Sequence, residues 1–108
     1  MRRIAIGVAL AIAFAAGAGL EARRQAYTAY GAGIESCGKW LEYRKSDNWY
    51  TNGQWVLGWV SAAGYYGSSL RKTDSAAISS WIDNYCAANP LEDLDTASRA
   101  LVVALRAQ

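Results

Sequence analysis

The chain has 108 residues, 53% of them hydrophobic, with 11 basic and 9 acidic side chains and no histidine. This length supports one domain with one modest core. The lack of histidine excludes Ser–His–Asp and Cys–His nucleophilic sites, His-based zinc sites and the usual charge switch near neutral pH.

The N-terminus reads as a secretory leader. Met1-Arg2-Arg3 is basic, Ile4 to Ala16 has no charged or strongly polar residue, and Ala16-Gly17-Ala18 offers small residues for signal peptidase. Ala13-Phe14-Ala15 is an alternative cut site. The uncharged run from Ile4 to Leu20 is at the short end for a bilayer span, so cleavage is expected and a retained anchor is the alternative. Removing residues 1–18 leaves nine basic and nine acidic side chains, because Arg2 and Arg3 belong to the leader. A neutral mature chain gives no electrostatic case for nucleic acid or for stable association with an anionic membrane.

Residues 19–33 show no sustained periodicity and are expected to form a loose N-terminal arm; Gly31-Ala32-Gly33 lacks the continuation and preceding strand of a phosphate-cradling loop. From Ile34 the pattern turns helical, with Ile34, Cys37, Trp40 and Leu41 on one face and Ser36 as N-cap. Ser46-Asp47-Asn48 ends that segment. A second helix is expected from a Thr51/Gln54 capping box, with Asn52 as an alternative cap. Trp55, Val56, Trp59, Val60, Ala63 and Tyr66 recur along it at helical steps, and Tyr65-Tyr66-Gly67-Ser68-Ser69 closes it as a turn. A third helix follows Asp74, with Ile78, Trp81, Ile82 and Tyr85 as its apolar stripe and Asn89-Pro90 as its stop. Asn89 can also cap a last helix, with Pro90 at its first position and Glu92 at its third, running on Leu91, Leu94, Ala97, Leu101 and Leu105 to about Arg106.

The expected fold is therefore all-α, a small four-helix bundle over residues 34–108. In an oxidising compartment its two cysteines, Cys37 and Cys86, have one intramolecular pairing open to them. That bond would close a loop of about 50 residues, worth roughly 4 kcal/mol in chain entropy.

Chemistry is sparse. Both cysteines are spent on the disulfide, which leaves no thiolate for metal or catalysis, and no cofactor motif appears. Glu35 with Glu42, at i, i+7 on one helix face, and the cluster Glu92, Asp93 and Asp95 are the carboxylates a small glycan-acting enzyme, the outsider reading, could use. The first pair is better read as a solvated helix face. Glu92, Asp93 and Asp95 suit a helix N-terminus. The chain is accordingly expected not to be an enzyme. Trp40, Leu41, Trp59, Ile78, Trp81, Ile82, Tyr85 and Leu101 are candidate core. Trp49, Tyr50, Tyr65 and Tyr66 fall in a loop and at a helix end, where they either cover the core edge or meet a partner, protein or sugar.

Two blocks, Cys37-Gly38-Lys39-Trp40-Leu41 and Tyr85-Cys86-Ala87-Ala88-Asn89-Pro90, resemble the cysteine blocks of the HdeA-like family, and Leu57-Gly58-Trp59 echoes a segment between them. The resemblance spans roughly residues 36–105 and implies a small periplasmic helical protein with one disulfide. It also implies a holdase that loosens in acid and shields unfolding proteins. Protonating nine carboxylates would bring the mature side chains from zero to +9, and self-repulsion would favour opening. The chain is also similar in size and class to Tai-type immunity proteins of type VI secretion systems, which implies the alternative of a binding module that blocks a toxin. Partners are in either case other proteins, with a homodimer left open.

Overall fold

A computed structural model describes residues 27–67 and 69–106. The expected leader, its expected cleavage sites and the expected arm up to residue 26 lie outside the described residues. Within them the chain forms four α-helices: α1 (Cys37–Arg44), α2 (Tyr50–Tyr66), α3 (Ser75–Ala88) and α4 (Leu94–Arg106), with short 3-10 turns at Gly31–Ile34 and Asp47–Trp49. The fold is all-helical, and a disulfide joins Cys37 to Cys86 with their Cα atoms 4.8 Å apart. No helix among the described residues is long and apolar enough to cross a membrane.

Two helix starts follow directly from side-chain capping. The Ser36 hydroxyl accepts from the Lys39 N–H at 3.1 Å, and an Asp74 carboxylate oxygen accepts from the Ala77 N–H at 2.8 Å. The other two differ from expectation. The second helix begins at Tyr50 rather than behind Thr51: Ser46 caps the preceding 3-10 turn through Asn48 N–H, and that turn runs straight into α2. Asn52 is buried instead of capping, and its side-chain amide donates to Glu35 Oε1 at 3.4 Å. The last helix begins at Leu94, with Asp93 as cap to the Thr96 N–H at 2.8 Å, and not at Pro90. Pro90 and Glu92 are held outside it because their carbonyls accept from Gly38 N–H (3.1 Å) and Cys37 N–H (2.7 Å). Leu91 consequently points away from the stripe expected of it and is 97% exposed.

The same segment pairs with the chain before α1. Leu94 N–H donates to Glu35 carbonyl at 3.0 Å, completing an antiparallel bridge between Ser36 and Asp93. This bridge breaks the helix expected from Ile34, which lies in the 3-10 turn and is 66% exposed.

Helix α1 packs chiefly on α3, α2 on α4, and α3 on α4, while α1 reaches α2 through the Asp47–Trp49 turn. The core between them is built from Cys37 and Trp40 of α1, Val56 and Val60 of α2, Ile78, Ile82 and Cys86 of α3, and Leu94, Ala97, Leu101, Val102 and Leu105 of α4. Of the expected core residues, Trp40, Ile78, Ile82 and Leu101 are buried, whereas Leu41, Trp59, Trp81 and Tyr85 are half-buried against its edge. The rings of Trp59, Trp81 and Tyr85 roof the core rather than fill it.

From Tyr27 to Ile34 the expected loose arm is laid against α2. The Trp55 indole N–H donates to the Tyr30 carbonyl at 2.7 Å, and Trp59 donates to the Tyr27 hydroxyl at 3.1 Å. Gly31 turns the chain with φ of 74°, and Gly33 lies flat on the Trp55 ring, where a Cβ would sit 2.1 Å from Cζ2.

Two stability measurements follow. Reduction of the 49-residue-separated disulfide should lower the free energy of unfolding by about 4 kcal/mol, read from urea titrations with and without reductant. Gly33→Ala should destabilise by about 1–3 kcal/mol, and pairing it with Trp55→Ala should recover much of that loss in a double-mutant cycle. Additive losses would show that Trp55 is not what the new methyl meets.

Candidate functional site

Helix α2 is the unusual element. No charged side chain occurs from Asn48 to Leu70, so the whole helix, in the interior and on the surface, is neutral. Asn52, Val56 and Val60 form its buried stripe. Tyr50, Gln54, Gly58, Ser61 and Tyr65 recur at steps of four, four, three and four along its outer face, all exposed. A Cβ on Gly58 would meet nothing within 4 Å, so this face has a low, open centre. At its C-terminal end Tyr65 and Tyr66 stand 82% and 84% exposed, their rings edge to face at 4.8 Å.

At the N-terminal end, α2 and α3 diverge around a cleft of about 400 Å³. Trp49, Tyr50, Gly53, Gln54 and Leu57 form one wall, Ser75, Ala76, Ser79 and Ser80 the other, and Arg44 one end. Trp49 and Tyr50 stack at 4.6 Å with their planes 21° apart. Gly53 lets Trp49 lie close to the helix, since a Cβ there would come within 2.9 Å of the Trp49 Cζ3.

Arg44 is fixed by an ion pair. Its Nε and Nη2 donate to the two oxygens of Asp83 at 3.0 Å each, and the indole N–H of the fully buried Trp40 donates to Asp83 Oδ1 at 2.8 Å. The guanidinium also lies 4.5 Å from the Trp49 ring centroid. Asp83 thus satisfies the one polar atom of Trp40, holds α1 to α3, and through Arg44 sets the position of the cleft's aromatic wall.

On the opposite flank Arg99 pairs with Asp95 and lies 4.7 Å from the Tyr27 ring centroid. Asp95 Oδ1 and Ser98 Oγ are buried with no hydrogen-bond partner among the described residues. Tyr85, stacked on Trp81 at 5.5 Å, has its phenol pushed above the ordinary tyrosine value, first by burial and then by the nearby charges of Glu92 and Asp93.

The structure separates the four aromatics singled out from sequence. Trp49 and Tyr50 belong to the cleft, and Tyr65 and Tyr66 to the far end of a 17-residue helix, about 25 Å away at ~1.5 Å per residue. Glu35 and Glu42 lie outside the cleft: Glu35 accepts from Asn52, and Glu42 is exposed. Asp93 is spent as a cap and Asp95 on Arg99. Among the described residues no three His, Cys, Asp or Glu side chains converge as a metal site. Asp83, Arg44 and Ser79 carry no sequence signal of their role, which depends on which helices become neighbours. The roles of Tyr27 and Tyr30 likewise require knowing that the arm returns to α2.

The described residues thus form a single-disulfide four-helix domain whose α2 is neutral and aromatic-bearing. Comparison with protein-family models, curated proteins and solved structures yields no match.

Removing the Asp83 carboxylate strands the buried Trp40 N–H and frees Arg44. Asp83→Ala should therefore destabilise by about 1–3 kcal/mol in urea, with a shift in the tryptophan emission, while the exposed Lys39→Ala stays within about 0.5 kcal/mol. Equal effects of the two would remove Asp83 from this role.

Proposed function

We propose that the chain is a non-enzymatic, exported protein-binding domain whose partner surface is the outer face of α2. The observation that carries this reading is the absence of charge from Asn48 to Leu70 together with the exposure of Tyr65 and Tyr66. Charged side chains are expensive to desolvate, and interface centres are depleted of them and enriched in aromatic rings. A soluble monomer gains nothing from an exposed tyrosine pair on a neutral helix, whereas a partner does. Export is part of the proposal: the disulfide fits an oxidising compartment, and the leader pattern of residues 1–18 supplies the route.

The leading form of this activity is an HdeA-like holdase for unfolding proteins. Light scattering of an acid-unfolded client at pH 2–3 and a heat-unfolded client at neutral pH tests it. The wild-type chain should suppress aggregation several-fold in at least the acid arm, and the paired substitution Tyr65→Ser, Tyr66→Ser should abolish most of that effect. Scattering unchanged by the wild-type chain rejects the holdase.

A toxin-neutralising immunity protein is the second reading, favoured by one specific feature: both tyrosines are already presented by the folded bundle, so recognition needs no opening. A single stoichiometric partner held equally at neutral and acid pH would select it over the holdase.

A further inference from the structure

We infer that the cleft between α2 and α3 is a binding site for a neutral sugar ring, a pyranose held by stacking and by hydroxyl-to-hydroxyl hydrogen bonds. Its volume of about 400 Å³ lies within the ~300–1,000 Å³ of small-molecule sites. One wall is the stacked Trp49–Tyr50 pair, with Tyr50 58% exposed. The facing wall is hydroxylic. Ser75, Ser79 and Ser80 line it, with Gln54 projecting from the aromatic side.

These polar groups are not consumed by the protein. Ser61, also on α2, donates to the Leu57 carbonyl at 2.7 Å, the usual fate of a helical serine. The side chains of Gln54, Ser75, Ser79 and Ser80 make no hydrogen bond among the described residues. For Ser79, which is only 7% exposed, the cleft is where its hydroxyl can find a partner.

The chemistry of the lining selects the ligand by exclusion. A purely apolar group would leave the serines and Gln54 unpaired. A cation finds no carboxylate in the lining, and an anion finds only Arg44, whose Nε and Nη2 are committed to Asp83. A sugar ring matches both walls: its C–H face lies on an aromatic ring, and its hydroxyls donate and accept, as serine hydroxyls and a glutamine amide do. The lack of an acid in the lining makes this a binding site and not a hydrolytic one. The site lies at the N-terminal end of α2, remote along the helix from Tyr65 and Tyr66 at its C-terminal end, and it does not rest on the protein-binding reading.

The test is a titration of the full chain, followed by amide chemical shifts, with methyl β-D-glucopyranoside and with N-acetylglucosamine. N-acetyltryptophanamide serves as a peptide-like probe. Saturable shifts at the Gln54 side-chain amide and the Ser79 and Ser80 amides are expected with at least one pyranoside. Tyr50→Ala should weaken that binding about tenfold and Ser80→Ala about threefold. Both positions are exposed, so the bundle is retained. Absence of saturable shifts with both sugars would overturn the inference, as would tighter binding of N-acetyltryptophanamide or affinities indifferent to both substitutions.

Discussion

The backbone bonds that Cys37 and Leu94 make with Glu92 and Glu35, and the sulfur bridge from Cys37 to Cys86, hold three chain segments at one point. The start of α1, the end of α3 and the start of α4 meet there. A domain of this size buries a small core, and hydrophobic burial alone leaves the relative placement of four short helices weakly specified. Directional bonds at the junction supply what the core does not. They also explain why the turn carrying Leu91 is extruded into solvent: the Pro90 and Glu92 carbonyls are engaged toward α1, and the Leu91 side chain faces outward.

From that junction the rest of the bundle is placed by polar links between elements that the core would let slide. Asp83 joins Trp40 and Arg44 to α3, and Arg44 orients Trp49. On the other side the hydrogen bonds from Trp55 and Trp59 fasten the 27–30 segment to α2. The half-buried Trp55 and Trp59 therefore have their rings against the core and their N–H groups on named acceptors, the arrangement an amphipathic ring favours at a core boundary. Three of the five tryptophans, Trp40, Trp55 and Trp59, act as ties as well as filling.

Apart from the one disulfide that two cysteines allow, what could be read from sequence was local. Ser36 and Asp74 cap where a short polar residue precedes a periodic run, and Ile78 and Ile82 face inward as their spacing demands. Apart from the start of α2, which the Ser46-capped turn advances to Tyr50, the failures are cases of long-range bonds overriding a local signal. Asn89-Pro90 is a good helix start, yet the Pro90 and Glu92 carbonyls are drawn to α1. Thr51 and Asn52 have capping chemistry, yet Asn52 is buried facing Glu35. Ile34 is in helical phase with Cys37, yet the bridge between Ser36 and Asp93 intervenes. The cleft was illegible for a related reason. Its aromatic and hydroxylic walls are 18 or more residues apart in sequence, and neither is a motif by itself.

The junction also has a kinetic meaning. The α3–α4 pair is joined by a turn of five residues, so its contacts close a short loop and can form early, with little chain entropy lost. Docking of α1 depends on partners such as Cys86 and Leu94, which lie 49 residues and more downstream of Cys37. That step has to wait until nearly the whole chain is available. During synthesis the thiol of Cys37 therefore emerges well before its partner, and until residue 86 follows, the early half of the domain has an unpaired cysteine beside a neutral, aromatic helix. The interval is a property of where the two sulfurs sit in the chain. It makes the half-made protein, more than the finished one, the form in need of protection.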